Sequence, residues 1–220
     1  LYKLLLEYTD KIERFSIDEC FLDMTEFLQG RDILDIAYEI SRRVREELGF
    51  TVNVGVAHNK LLAKMESDFE KPNKVHTLFE DEIKDKMWPL KTNDLFMLGK
   101  KTFPVLYNMG IKTIGDLAKS DMLLIQKRFG KFGKMMWEYA NGIDSSPVNY
   151  IREKPKSISN STTLPIDVTN IEKLHEVLFK LTESVTYRLR KEKLIASTVN
   201  VQIRTNKFED SSHQGKLMNP

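Results

Sequence analysis

Two adjacent carboxylates, Asp18 and Glu19, are the residues of this sequence best suited to chemistry. They lie between two stretches of strand-like composition, 12–17 and 20–25, where a tight hairpin would place them side by side. Adjacent carboxylates repel each other, and Arg14 is the one basic residue near them in the sequence. Since Mg²⁺ binds carboxylate oxygens together with substrate phosphates, the pair predicts a site for two magnesium ions. A solvated acidic turn is the simpler alternative.

A second charged pattern lies on the helix predicted at 60–69, directly after a predicted buried strand. Its members are spaced four, four and three residues apart and therefore share one helix face: Lys60, Lys64, Asp68 and Lys71. Lys71, beside the helix-breaking Pro72, could reach a phosphate as a point charge. The alternative is a row of ion pairs on a surface helix.

A third pattern combines glycines with lysines: Gly99, Lys100, Lys101 and Thr102, followed by glycine turns near 110 and 115. A nucleotide-binding phosphate loop is excluded, because the first glycine that it needs would fall at Asp94. The spacing instead predicts a helix-hairpin-helix, whose backbone N–H groups and lysines would bind a phosphate, and with no residue placed to read bases it would bind without sequence preference. An ordinary helical hairpin is the alternative.

A fourth pattern follows a stretch rich in proline and serine at 143–156 that is typical of a linker. It combines basic side chains with small hydrogen-bond donors, both suited to phosphates: Lys156, Ser157, Ser159, Asn160 and Arg204. These residues could alternatively serve only solubility.

Composition narrows the class of protein. The chain has 220 residues, 41% of them hydrophobic and 30% charged, which is enough apolar material for a core. A single cysteine excludes an internal disulfide. The lack of a long apolar run or leader predicts a cytoplasmic protein with no membrane partner. Acidic residues outnumber basic ones in 1–75 and the reverse holds in 151–220, as a metal-using enzyme acting on a polyanion would require.

The elements that must position these side chains predict an α+β, multidomain protein. Residues 1–79 alternate strands and helices, with the longest helix at 31–48, whereas 80–142 contains short helices interrupted by glycines. The last part is predicted to contain a strand at 161–164, a helix at 170–193 and a strand at 198–204. The polar tail, 205–220, contains no predicted element that would complete a domain.

These motifs, in this order, resemble the Y-family (translesion) DNA polymerases of the bacterial polymerase IV type. The similarity covers nearly the whole chain and is carried by several segments: Phe15–Asp23, Val54–Met65, Ser67–Asn73, Leu98–Thr102, Gly110–Ile111, Thr113–Leu117 and Ala140–Asp144. The resemblance implies part of a ferredoxin-like palm sheet, an all-α thumb, a linker and part of an α/β little-finger domain. Their predicted bounds are 1–79, 80–149, 150–155 and 156–220.

The resemblance also implies a function and roles for single residues. Asp18 would bind metal, Glu19 would lie beside the primer end and help bind the metal, and Lys71 would contact the nucleotide triphosphate. The activity would be template-directed, error-prone DNA synthesis, with primer–template DNA, a dNTP and, through residues beyond Pro220, a sliding clamp as partners. A non-catalytic DNA-binding relative and a palm-type nucleotide cyclase are the alternatives.

Three positions depart from the family pattern. Met97 replaces a glycine of the thumb hairpin, Ser159 replaces a glycine at the start of the little finger, and Glu66 replaces a small residue near the nucleotide. The first metal-binding carboxylate and the fingers would precede Leu1, and the rest of the little finger would follow Pro220. The chain is therefore predicted to be an internal piece that cannot extend primers alone.

Overall fold

The computed structural model describes residues 1–28, 30–151 and 154–218. Backbone contacts divide the chain into two compact units, Leu1–Arg152 (unit 1) and Glu153–Pro220 (unit 2). The division falls inside the stretch that sequence analysis predicts to be a linker, where proline and serine replace the periodic apolar residues of the flanking regions.

Unit 1 begins with a short helix and the predicted hairpin. Helix α1 (Tyr2–Leu5) precedes β1 (Ile12–Arg14) and β2 (Cys20–Leu22), which pair antiparallel with Arg14 opposite Cys20. Helix α2 (Ile33–Leu48) begins at Asp32, whose carboxylate accepts a hydrogen bond from the Leu34 N–H. The apolar face of α2 packs on a small core that includes residues of α1 and β1, so this core supports the β1 strand of the hairpin.

A strand–helix–strand unit follows in unit 1. Strand β3 (Val54–Val56) pairs in parallel with β4 (Val75–Thr77), and helix α3 (Lys60–Ser67) connects them. Gly55 lets the helix lie directly on the strand, because a Cβ atom there would come within 2.1 Å of the Ala63 carbonyl oxygen. This close approach fixes the face of α3 that carries the predicted lysines.

Short helices make up the rest of unit 1. Three short helical turns, Glu80–Glu82, Ile83–Met87 and Thr92–Asp94, precede four α-helices. The α-helices are α4 (Phe103–Asn108), α5 (Ile114–Lys119), α6 (Met122–Phe129) and α7 (Lys131–Ala140). Their buried residues form one core with Leu61, Leu62 and Met65 of α3. Since α3 belongs to this core, the four helices cannot shift without disturbing the helix that carries the lysines.

Unit 2 contains helix α8 (Ile171–Lys191) and strands β5 (Thr198–Arg204) and β6 (Asp210–Lys216), which pair antiparallel. Two predictions are wrong here. The tail contains β6, which sequence analysis missed because its polar sequence has no apolar alternation, although the backbone pairs as in any strand. Residues 161–164 form no strand in the part of the chain that the structure describes.

The mixture of helices and strands confirms the α+β class. The described strands form three two-stranded sheets, so a ferredoxin-like palm sheet stays a prediction, as do the bounds of the palm, thumb and little finger. Among the described residues, no helix is both long and apolar enough to cross a membrane.

Candidate active site

The hairpin between β1 and β2 presents its acidic residues to solvent. The backbone N–H groups of Phe15 and Ser16 both donate to the Glu19 carbonyl oxygen, at 3.0 and 3.1 Å, and close the turn. The Ser16 hydroxyl donates to Asp18 Oδ1 at 2.6 Å, and Ile17 is fully exposed at the tip. The predicted hairpin is thus confirmed, and both carboxylates lie at an accessible edge.

Lys64 of α3 connects this hairpin, through Asp68, to the predicted phosphate-binding residue. Lys64 Nζ lies 2.7 Å from Glu19 Oε1 and 2.7 Å from Asp68 Oδ2. Asp68 Oδ1 in turn accepts a hydrogen bond from Lys71 Nζ at 2.6 Å. We call this series Glu19–Lys64–Asp68–Lys71 the acid–lysine chain. It brings Glu19 and Lys71 into one network, although they come from different elements.

Charges in and beside the acid–lysine chain support one another. The Ser16 hydroxyl, and then Lys64 and Lys71, hold the pKa of the Asp18 carboxyl below its usual range. Burial raises the pKa of Asp68, but hydrogen bonds to Lys64 and Lys71 outweigh it, so the net pKa is lowered. Burial lowers the pKa of Lys64, but its bonds to Asp68 and Glu19 raise the net pKa. These groups are therefore charged at neutral pH.

Near the acidic pair the sequence offers only Arg14 as a basic residue, but the structure supplies a lysine from a distant part of the chain. The Arg14 guanidinium lies 3.8 Å from the centre of the Tyr2 ring, and it is Lys64 that pairs with Glu19. Sequence proximity missed this partner because Lys64 lies 45 residues further along the chain. The adjacent acids are thus compensated by protein groups: a hydroxyl for Asp18 and an ammonium for Glu19.

The hairpin acids suit a hard divalent cation only as part of a larger ligand set. Asp18 is exposed and Glu19 is 39% exposed, so carboxylate oxygens of the type that Mg²⁺ prefers are accessible. Within residues 1–28, 30–151 and 154–218, no group of three His, Cys, Asp or Glu side chains could hold a metal ion. These two residues therefore fit a shared metal site to which other groups contribute.

A polar joint, unpredicted from sequence, fastens α3 to the segment after α7. Asn59 begins α3 with a side-chain cap on Leu62 N–H and also donates to the Gly142 carbonyl oxygen at 2.9 Å. The Leu61 N–H donates to Asp144 Oδ2 at 3.2 Å. Both ends of this joint lie in segments that carry the family resemblance, and that resemblance was the one signal in the sequence that could have pointed to them.

A buried ion pair extends the joint to the hairpin. Lys60 Nζ lies 2.6 Å from Glu13 Oε2 on β1, and both side chains are mostly buried. The same Glu13 oxygen accepts a hydrogen bond from the Asn149 N–H at 2.6 Å. The lysine face of α3 is therefore a row of ion pairs, with Lys60 serving the joint and Lys64 serving the acid–lysine chain.

The predicted helix-hairpin-helix exists as two helices joined by a glycine turn. Helix α4 ends near Gly110, whose φ is +83°, and α5 begins with a capping box. In that box Asp116 N–H donates to Thr113 Oγ1 at 3.0 Å, while Asp116 Oδ2 accepts from the Thr113 N–H at 2.9 Å. A carboxylate thus already lies at the N-terminus of α5, which leaves the turn at 99–102 as the better phosphate candidate.

The turn before α4 exposes its lysines. The Gly99 carbonyl oxygen accepts a hydrogen bond from the Thr102 N–H at 3.0 Å, and Lys100 and Lys101 between them are exposed. The predicted DNA-binding residues of this turn thus lie together on the surface of unit 1.

The predicted DNA-binding residues of unit 2 differ from one another in their hydrogen-bond partners. Lys156 and Ser157 are exposed, while the Ser159 carbonyl oxygen accepts from Arg188 Nη2 at 2.6 Å. Asn160 Oδ1 accepts from the Ser161 N–H. Arg204 makes two hydrogen bonds of 2.8 Å to Asp210, which raise its pKa. Arg204 is therefore already paired with an acid on the neighbouring strand.

Comparisons with known proteins identify the family. A model of the impB/mucB/samB family matches residues 1–68, and a model of that family's C-terminal domain matches 155–220. DNA polymerase IV of Clostridium acetobutylicum is 48% identical over 219 residues, which are 100% of this chain and 55% of that protein. DNA polymerase IV of Acetivibrio thermocellus is 41% identical and covers 96% of this chain and 53% of its own length.

A solved structure agrees with these matches. A Y-family DNA polymerase chimera, Dbh-Dpo4-Dbh, superposes with a TM-score of 0.84 and 26% identity over 99% of this chain and 63% of its own. The chain belongs to the Y-family DNA polymerases. It spans about half the length of the curated Y-family relatives that it matches.

Two departures from the Y-family pattern have structural consequences. Met97 has a φ of +67°, the left-handed region that glycine enters without steric cost, so the position where the family has glycine does need that conformation. Glu66 is buried in unit 1, only 2% exposed, with Oε1 3.9 Å from His76 Nδ1 and Oε2 without a partner among the described residues. Burial raises the pKa of Glu66 to about 7. The structure thus places Glu66 in the interior rather than on the lysine face.

Proposed function

We propose that the full-length protein containing this sequence is a template-directed, error-prone DNA polymerase of the translesion type. It would add dNTPs to the 3′ end of a primer. One observation carries the proposal: the acid–lysine chain joins Glu19 of the hairpin to Lys71 through two hydrogen-bonded side chains. A polymerase needs cation-binding carboxylates next to a group that binds the triphosphate, and relatives called DNA polymerase IV support this reading.

The hairpin residues would supply the electrostatic part of catalysis. Asp18 and Glu19 would hold magnesium, two ions being expected, together with a carboxylate from elsewhere in the full-length protein. Bound divalent cations activate the attacking hydroxyl and stabilise the leaving oxygen in nucleotidyl transfer. Lys71, which is 59% exposed, would exchange its Asp68 partner for the triphosphate, since it is the more exposed member of that pair.

The remaining surfaces would bind DNA. Residues 1–79 would form part of the palm, 80–149 the thumb, 150–155 a linker and 156–220 part of the little finger. The thumb would bind primer–template DNA through the 99–102 turn, and the little finger through Lys156, Ser157, Ser159, Asn160 and Arg204. A sliding clamp would bind elsewhere in the full-length protein.

Replacing Glu19 with alanine in the full-length protein tests the proposal. Primer extension should be lost, because a cation ligand is removed, whereas DNA affinity should stay within about twofold, because the DNA-binding surfaces are intact. The measurements are single-turnover primer extension and fluorescence anisotropy with labelled primer–template.

The matched control is Glu26→Ala, which removes an exposed carboxylate that pairs with Lys11 just after the hairpin. It should leave extension unchanged. Undiminished extension by Glu19→Ala would refute the assignment. A wild-type protein that binds DNA tightly yet never extends primers would instead favour a non-catalytic polymerase relative.

A further inference from the structure

We propose that Lys64 is a positioning residue that acts as a stand-in cation. It neutralises Glu19 while no divalent ion is bound and releases that carboxylate when one binds. The inference rests on the proposed function of the hairpin, because it assumes that Glu19 is a metal ligand.

The contacts of Lys64 support this exchange. Its ammonium lies 2.7 Å from both Glu19 Oε1 and Asp68 Oδ2, so it shares one positive charge between two carboxylates. When Glu19 turns towards a divalent ion, Lys64 still has Asp68 as a partner and is not left as an unpaired, mostly buried charge. The exchange therefore costs little on the lysine side.

Differences in exposure show which partner moves. The Lys64 side chain is only 12% exposed, whereas those of Glu19 and Asp68 are 39% and 46% exposed. Packing holds the lysine in place, and the glutamate lies at the open edge of a hairpin with a solvated tip. Glu19 can thus leave Lys64 by a side-chain rotation, without movement of α3.

The charge of Lys64 must oppose cation binding at Glu19. A positive charge in hydrogen-bond contact with a ligand carboxylate competes directly with an incoming divalent ion, and at a partly exposed site such an effect is about tenfold in affinity. Removing the charge should therefore tighten metal binding. A purely structural ion pair predicts the opposite, since loss of the lysine would leave Glu19 less well positioned.

The test measures Mn²⁺ affinity without nucleotide or DNA, by electron paramagnetic resonance of free Mn²⁺, in the full-length protein. Lys64→Met should bind Mn²⁺ about three- to tenfold more tightly than wild type. Lys64→Gln, which keeps a hydrogen-bond donor near Asp68, should show the same direction and serves if the methionine variant is unstable. Lys64→Arg keeps the charge and should bind Mn²⁺ like wild type.

Lys60→Met is the matched control. It removes the same charge one turn earlier on the same face of α3, from a lysine that is 16% exposed and pairs with Glu13 instead. Its Mn²⁺ affinity should stay within about twofold of wild type, since its partner is not a proposed ligand. A similar gain in Lys60→Met would show a general charge effect and overturn the specific role of Lys64.

Repeating the measurement in Glu19→Gln protein distinguishes a failure of the proposed Lys64 role from a failure of the proposed function. In Glu19→Gln protein, Lys64→Met should no longer change Mn²⁺ affinity, because Lys64 acts through that carboxylate. If Glu19→Gln weakens Mn²⁺ binding but Lys64→Met has no effect or weakens it too, the stand-in role is overturned and the proposed function survives. If Glu19→Gln binds Mn²⁺ like wild type, both fail.

Discussion

The two units of the chain differ in how far their side chains are buried. Unit 1 contains every side chain that is fully removed from water in the described structure, including a core that runs from α3 through α4–α7. Unit 2 has no buried residue within 154–218, and seven residue pairs join β5 to β6. Among the described residues, buried apolar packing is therefore confined to unit 1.

This difference places the candidate chemistry on the better-packed unit. The acid–lysine chain rests on α3, whose other side is fixed in the core by Leu61 and Leu62. Apolar side chains of unit 2 such as Phe179 and Ile195 are largely exposed. A site that needs atoms held within fractions of an ångström is well supported by the packing of unit 1.

The strongest test of this difference replaces one leucine with alanine in each unit and compares the loss in the free energy of unfolding. Leu106→Ala removes a side chain that is fully buried in α4, so we expect a loss of about 3 kcal/mol in the free energy of unfolding. Leu178→Ala on α8 removes a partly exposed side chain, and we expect less than about 1 kcal/mol. Urea unfolding followed by circular dichroism measures both.

Since the chain divides into two compact units, the unfolding of unit 1 should also be followed with a probe of its own. Trp88 and Trp137, which both lie in unit 1, give a fluorescence signal for that unit alone. Equal losses for the two substitutions would show that α8 is packed as tightly as α4, and the comparison would fail.

A second prediction concerns Glu66, the one buried carboxylate among the residues of unit 1 that the structure describes. We expect Glu66→Gln to stabilise the protein by about 2 kcal/mol at pH 8 and by almost nothing near pH 4.5. Urea unfolding at the two pH values measures the difference, with Trp fluorescence as the probe.

The direction of this pH dependence follows from the affinity of Glu66 for its proton in the folded and unfolded states. The folded-state pKa of Glu66 is about 7, above its value in the unfolded chain, so the folded state binds the proton more tightly and its stability falls as pH rises towards 7. His76, Lys86 and Glu82 are the charged or titratable groups that act on it. Glu70→Gln, which removes an exposed carboxylate near the same histidine, should leave the pH dependence unchanged. A wild-type-like pH profile in Glu66→Gln would contradict the assignment.

The smallest expected effect sharpens the view of unit 2 as a binding surface. Asp210→Asn removes the acid that holds Arg204 with two hydrogen bonds, so the arginine becomes free to contact DNA phosphates. We expect DNA affinity to rise about two- to threefold at low salt, with the gain shrinking as salt increases. Anisotropy titrations at two salt concentrations measure it.

Glu209→Gln is the control for this prediction, because it changes the net charge equally at the adjacent position. Glu209→Gln should give a smaller gain in DNA affinity, which reflects the change in net charge alone. If both substitutions act alike, Arg204 is not a phosphate contact.

The sequence predicted the elements that depend on local patterns. Helices α2 and α8 have apolar residues every three or four positions, and the hairpin at Asp18 has strand composition on both sides, so both were predicted correctly. Strand β6 was missed, since exposed polar residues carry no periodic signal. The strand expected at 161–164 was wrong, because a strand needs a partner that local sequence does not specify.

The candidate site was predicted only in part. Asp18, Glu19 and Lys71 were selected through type, spacing and family resemblance, and their metal and phosphate roles stay predictions. The pairing of Lys64 with Glu19 and of Lys60 with Glu13 needed three elements placed in space. Helical spacing does show that the two lysines share a face, but it cannot show what that face meets.

Glu13 gives the hairpin a mechanical role. One of its oxygens accepts the Asn149 N–H and also pairs with Lys60, so the strand that leads into the acidic turn anchors the chain just before it passes to unit 2. Tension that arrives along the backbone from residues beyond Asn149 is borne first by this anchor. A pull on the tether would thus reach the acidic turn through β1 and would also reach helix α3, since Lys60 binds the same Glu13 oxygen.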